Sequence, residues 1–181
     1  SNNLIEVIEG IDNCRVLTKL DMSANKLSGL DSLKGMRYNG KLSVLLLKDN
    51  HIDFDEEIIP FFASHLNLKY LEMKGNDFVK NCLNYRKRMI ASLKELKYLE
   101  DRTVEPEERL AAEAFVEGGR EREKEVKGRL EQEKIERHRE YLDRIEVSRE
   151  RAKQVRLEQI QERIEEGLQR KSELLELKLE A

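Results

Sequence analysis

Apolar positions return along the first half of this chain in one fixed frame. The frame reads Leu17-x-x-Leu20-x-Met22-x-x-Asn25-x-Leu27, then Leu42-x-x-Leu45-x-Leu47-x-x-Asn50-x-Ile52, then Leu68-x-x-Leu71-x-Met73-x-x-Asn76-x-Phe78. A fragment, Asn3-x-Ile5, stands ahead of them, so the asparagines at 3, 25, 50 and 76 are 22, 25 and 26 residues apart. Within each frame the alternation around the second apolar residue predicts a short strand with Leu20 and Met22, and their equivalents, pointing inward. The asparagine lets the chain turn, and its amide bonds backbone groups that the turn leaves unpaired. Between frames, Leu30 and Leu33, then Ile58, Ile59, Phe61, Phe62 and Leu66, supply a second apolar layer. Pro60 interrupts the helical pattern there and predicts a short helix after it.

Frame and period together are those of a leucine-rich repeat. One such unit cannot bury its own apolar face, so neighbours stack. The predicted fold is α/β: a leucine-rich-repeat solenoid forming a short arc of about four parallel strands, held by a ladder of Asn3, Asn25, Asn50 and Asn76. Solenoids need end caps. Ile5, Ile8 and Ile11 are expected to be covered on one side only unless a preceding repeat or a partner covers them, and the array is expected to begin before Ser1.

The strand residues between the inward positions face outward on the concave surface. They are Lys19, Asp21 and Ser23, then Val44, Leu46 and Lys48, then Tyr70, Glu72 and Lys74. Val44, Leu46 and Tyr70 form an apolar group among them, which predicts a docking surface for a protein partner. The plainer alternative makes Val44 and Leu46 ordinary strand formers, or residues covered by another part of the chain.

After Asn76 the period changes. Residues 84–93 read as an amphipathic helix with Tyr85, Met89, Ile90 and Leu93 on one face. Leu96-x-x-Leu99 then imitates the opening of another repeat. Together they predict a C-terminal cap, with Tyr85 and Leu99 structural. Lys80, Arg86, Lys87, Arg88, Lys94 and Lys97 cluster here, opposed in sequence only by Glu95. This is either a solvated helix face or a contact, through Arg86 and Arg88, for an acidic partner such as a tubulin surface.

The next block is Leu96-Lys97-Tyr98-Leu99-Glu100-Asp101-Arg102-Thr103-Val104, Pro106-Glu107-Glu108-Arg109, Ala111-Ala112-Glu113-Ala114-Phe115 and Gly118-Gly119. It resembles the segment that follows the repeats in the leucine-rich-repeat axonemal dynein assembly factors, departing at Glu100 and Thr103, where that family usually has Asp and Pro. The local physics agrees with the block. Pro106 suits a first helical turn, and Glu107 and Glu108 suit its positive end. Ala111, Ala114 and Phe115 suit packing back on the cap. A Gly-Gly pair costs about 1 kcal/mol per residue inside a helix, so a bend is expected.

From Arg120 to Glu180 there is no proline, and 60 helical residues at about 1.5 Å each make a rod of roughly 90 Å. Glu123 with Lys127, Glu133 with Arg137, Glu140 with Arg144 and Glu166 with Arg170 attract at i, i+4. The sparse apolar positions, Val126, Leu130, Ile135, Leu142, Ile145, Ala152, Val155, Ile160, Ile164 and Leu168, do not sustain a heptad. A coiled coil and a single helix lying along a larger assembly both remain open, and Leu174, Leu175, Leu177 and Leu179 predict a docking end.

Charge divides the chain in the same place. Of the residues, 39% are charged against about 25% on average. Residues 1–104 hold 16 Lys/Arg and 15 Asp/Glu, whereas residues 105–181 hold 18 and 22. Three parts are expected: repeats and cap over 1–104, a short helix and Gly-Gly hinge over 105–119, and a long charged helix over 120–181. A net charge of −3 argues against nucleic acid as a partner. Cys14 and Cys82 suggest neither a disulfide framework nor a zinc site. No apolar run is long enough for a membrane span. No phosphate loop or catalytic constellation occurs. His51, His65 and His138 are scattered, and His51 beside Asp53, Asp55, Glu56 and Glu57 reads as an acidic loop. The chain is read as a non-enzyme without cofactor or metal. The resemblance implies a scaffold of motile cilia, found in the cytoplasm and the axoneme, that assists assembly or attachment of dynein arms and binds axonemal dynein or other axonemal subunits. The alternatives are a structural resident of the axoneme linking complexes on the doublet microtubule, and a phosphatase-regulatory leucine-rich protein.

Overall fold

The computed structural model describes residues 3–65 and 67–179, and side chains up to 172 apart from 65. Three frames give three parallel strands at the expected places: β1 (Lys19–Asp21), β2 (Val44–Leu46) and β3 (Tyr70–Glu72). Leu20, Leu45 and Leu71 are register partners across them. Leu96-x-x-Leu99 supplies a fourth parallel strand, β4 (Tyr98–Leu99), with Leu99 in register with Leu71. The chain then turns back in antiparallel β5 (Arg102–Thr103). The sheet order is the chain order.

The second layer holds a 3-10 turn over Asp31–Met36 and three helices, α1 (Ile58–His65), α2 (Asp77–Asn81) and α3 (Tyr85–Ser92). α1 begins before Pro60, not after it. Asp55 accepts the Glu57 N–H at 2.9 Å, and Pro60 falls in the first turn, where a missing N–H costs nothing. Ile58, Ile59, Phe61 and Phe62 are all buried against the sheet's inner face. Leu66 lies outside the described residues. Phe78 stacks on Phe54 and meets the Tyr85 ring edge-on, both at 5.9 Å.

The inner face is one continuous apolar core from Ile8 to Leu99, joined by Ala112. The expectation that Ile5, Ile8 and Ile11 would be covered on one side only fails for Ile8. It is buried, and its N–H bonds the Ser32 carbonyl at 2.9 Å. A Cβ on Gly35 would lie 2.8 Å from the Ile8 carbonyl carbon, so only glycine admits this approach. Asn3-x-Ile5 forms no strand, yet it follows the frame: Asn3 N–H donates to Ala24 at 3.2 Å, and Lys26 N–H donates to Ile5 at 2.9 Å.

Helix α4 runs Pro106–Leu179, broken at Gly118 and Gly119, whose backbone leaves the helical region. The contacts divide the chain into two compact units, one ending at Leu130 and one beginning at Glu131. In the first unit, Ala111, Ala112, Ala114 and, beyond the break, Glu123 and Val126 are buried. The second unit is helical, with Ile135, Leu142, Val155, Ile160, Ile164 and Leu168 exposed and Ile145 half-buried. Of the anticipated pairs, Glu166 meets Arg170 at 3.6 Å, while Arg144 donates instead to the Glu140 backbone carbonyl at 3.3 Å. The surroundings of Leu174, Leu175, Leu177 and Leu179 lie outside the described residues.

Candidate partner-binding face

A strand's alternate residues share one side, so the register fixes the outer face of the sheet. One row runs Lys19, Val44, Tyr70, Tyr98, and the next runs Asp21, Leu46, Glu72. Val44, Leu46, Tyr70 and Glu72 are half-buried, whereas Lys19, Asp21 and Lys74 are exposed. The Tyr70 and Tyr98 rings lie 6.0 Å apart. The structure therefore brings together Lys19, Asp21, Val44, Leu46, Tyr70 and Glu72, with Lys48 and Lys74 just past the strand ends.

Charge on this face is uneven. Asp21 sits below its ordinary range because its carboxylate accepts the Ser23 N–H. Glu72 is pushed up, first by burial and then by Asp101, with Lys48 alone pulling it back. Burial, Glu72 and Asp101 likewise raise the Tyr70 hydroxyl.

Asn25, Asn50 and Asn76 brace the turns beside this face, each closing on backbone groups. Asn50 Oδ1 accepts the Leu27 N–H at 3.1 Å, and its Nδ2 donates to Met22, Leu47 and Lys48. Asn76 repeats this, accepting from Ile52 at 3.0 Å and donating to Leu47 and Met73. Asn25 accepts from Ile5 and donates to Met22 and Ser23.

The far end of the sheet is closed by Glu100. In earlier repeats the N–H that follows the strand donates to the next strand, as Leu47 does to Glu72 at 2.7 Å. After β3 there is no equivalent carbonyl, because the chain reverses. The Glu100 carboxylate takes its place, accepting from Met73 and Lys74 N–H at 3.2 and 2.9 Å and from the Tyr85 hydroxyl at 2.8 Å. Burial and Glu100 hold the Tyr85 hydroxyl well above its ordinary value.

The basic cluster differs from its appearance in sequence, where only Glu95 opposes it. Folding brings acidic groups from far along the chain. Arg86 forms a bidentate pair with Glu108 at 2.6 and 2.7 Å and donates to the Leu99 and Thr103 carbonyls. Lys87 pairs with Glu123 at 2.6 Å and lies 4.3 Å from the Phe115 ring centre. Lys80 pairs with Asp77 at 2.7 Å. Arg86 thus fastens α4 to the cap, which corrects its placing on an open contact surface. Arg88 is half-buried and donates to Cys82 Sγ at 3.8 Å. The Arg86 pair holds the Glu108 carboxyl below its ordinary value. Tyr98, Asp101 and Arg109 were not singled out from sequence, and Glu100 stood out there only as a departure from the family pattern. Arg109 donates to the carbonyls of Ile90, Leu93 and Leu96, the open end of α3. An arginine one turn after a helix-starting proline was the available signal.

Frame, parallel sheet and helical cap define a leucine-rich-repeat protein. Within that class the chain is related in sequence to the axonemal dynein assembly factors. It is 38% identical over 128 residues, 71% of its length, to the Dynein axonemal assembly factor 1 homolog of Drosophila melanogaster. It is 37% identical over 110 residues, 61% of its length, to the leucine-rich repeat-containing protein ODA7 of Chlamydomonas reinhardtii. Dynein axonemal assembly factor 1 of Peromyscus polionotus is 39% identical over 107 residues, 59% of this chain. The chain spans 9%, 25% and 17% of these relatives. No protein-family profile matches it. Among solved structures, the Drosophila melanogaster SNF/U2A' complex matches with a TM-score of 0.47 and 21% identity, over 66% of this chain and 82% of that one.

Proposed function

We propose that this chain is the non-enzymatic binding part of a factor that helps assemble axonemal dynein arms in the cytoplasm of cells with motile cilia. Its repeats form a short solenoid arc whose outer sheet face docks one protein partner, and its charged helix engages another. The observation that carries this reading is the 38% identity over 128 residues to a dynein axonemal assembly factor homolog. The half-exposed Val44, Leu46 and Tyr70 support the docking role. In cells deleted for the gene, axonemes are expected to lose dynein arms, and the full-length protein with an intact sheet face is expected to restore them. Intact arms in the deletion would sink the proposal.

A second reading, residence in the axoneme, is favoured by the long charged helical stretch that follows the break at Gly118 and Gly119, which suits a segment lying along a larger assembly. Fractionation separates the two. A protein retained on detergent-extracted, salt-washed axonemes is structural, and one confined to the cell body is an assembly factor.

A further inference from the structure

Tyr70 and Tyr98 are register partners, and Tyr98 is 44% exposed. Glu72 shares their face two residues along β3, and Asp101 lies in the turn after β4. Neither Glu72 nor Asp101 has an ion pair among the described residues. Of the nearby cations, Arg86 is held by Glu108, and Lys48 draws Glu72 down less than Asp101 drives it up. Asp101 and Glu100 both disfavour charge on Glu72 and on the Tyr70 oxygen. This corner therefore holds more negative charge than its own chain neutralises, beside two ring faces. Aromatic faces next to carboxylates select a guanidinium, which stacks and donates hydrogen bonds at once. Val44 and Leu46 continue the same two rows as apolar surface.

Resting on the docking role proposed for the sheet face, we infer that Tyr70, Glu72, Tyr98 and Asp101 receive an arginine side chain from an amphipathic helix of a basic protein partner, whose apolar residues lie on Val44 and Leu46. The spacing suits a helix. Neighbouring strands are about 4.8 Å apart, so the tyrosine pair is centred about 7 Å from β2. An apolar anchor and an arginine one turn apart cover about 6 Å.

The test places a photo-crosslinking benzoylphenylalanine at Tyr98 of the full-length protein in ciliated cells and sequences the peptide it captures. The expected peptide carries arginine within one helical turn of an apolar residue. Capture is expected to fall at least 10-fold in Glu72→Lys/Asp101→Lys and to fall less in Glu72→Gln/Asp101→Asn, which keeps the shapes if charge reversal disturbs folding. A captured peptide lacking arginine, capture of a second copy of this chain, capture unchanged in both variants, or no capture would each overturn the inference. Dynein arms are scored in deletion cells in parallel. Arms that survive deletion, with an arginine-bearing peptide captured, remove the assembly role and leave this site standing. Arms lost on deletion, with no arginine-bearing peptide captured, do the reverse.

Discussion

Asn50 shows why one polar residue recurs in an apolar frame. Its side chain is buried and makes four bonds to backbone groups, of which the one from the Leu27 N–H has no other acceptor among the described residues. Replacement by alanine leaves the Leu27 N–H unpaired, at about 1–3 kcal/mol, and takes one donor from the Met22, Leu47 and Lys48 carbonyls, each of which keeps another. Asn50→Ala is expected to lose about 3 kcal/mol, read from the urea midpoint, whereas the same change at exposed Asn13 is expected to leave it unmoved. The residue before each asparagine is equally constrained: Ala24, Asp49 and Gly75 all have positive φ. Alanine is strained there by about 1–2 kcal/mol. Ala24→Gly is therefore expected to stabilise the fold by about 1 kcal/mol in the same measurement. The asparagine was legible in sequence because it repeats. The residue before it was not, because Ala, Asp and Gly share a backbone angle and no side-chain chemistry. Glu100 was illegible for a related reason: its partners are backbone N–H groups 26 and 27 residues away.

Among elements, the start of α4 is the one most firmly tied to the cap. Arg86 and Arg109 satisfy carbonyls that strand and helix ends leave open. Arg86→Ala is expected to cost about 2 kcal/mol by removing charge-assisted bonds and to speed amide exchange over residues 106–117. The pH dependence follows from Glu108. Its folded carboxyl lies below the ordinary 4.5, so the unfolded chain takes the proton more readily. The stabilisation is full above about 4.5 and is lost as pH falls through the lower folded value. Urea midpoints taken from pH 6 down to pH 3 are expected to fall less steeply in Glu108→Gln than in the natural chain. At the glycine break, Gly119 has φ +69° and ψ −157°, a region closed to other residues. Gly119→Ala is expected to expose residues 120–130 to exchange by pulling Glu123 away from Lys87. The break itself was readable from Gly118-Gly119. The burial of Glu123 and Val126 beyond it was not, because charge dominates the local sequence and the pairing cation is 36 residues back.

At the level of the molecule, strand order, register and cap position follow from apolar spacing alone, since each frame can bury its leucines only against the next. The outer face carries no such constraint, so its residues were readable as a row but not as an electrostatic surface. Tyr98 joins that surface through the parallel register of β4, and Asp101 only because the chain reverses at Glu100. The same reversal has a further consequence. The Glu100 carboxylate accepts from the Met73 and Lys74 N–H groups and from the Tyr85 hydroxyl, and the Tyr85 ring leans on Phe78, so among the described residues the terminal lock reads the final unit of the array. Array length is then free to change by gene duplication upstream without redesign of the stop. A tandem copy of residues 46–71 inserted after Leu71 is expected to yield a monomer with a single, higher-midpoint unfolding transition. Biphasic unfolding would show that the lock depends on more than its nearest repeat.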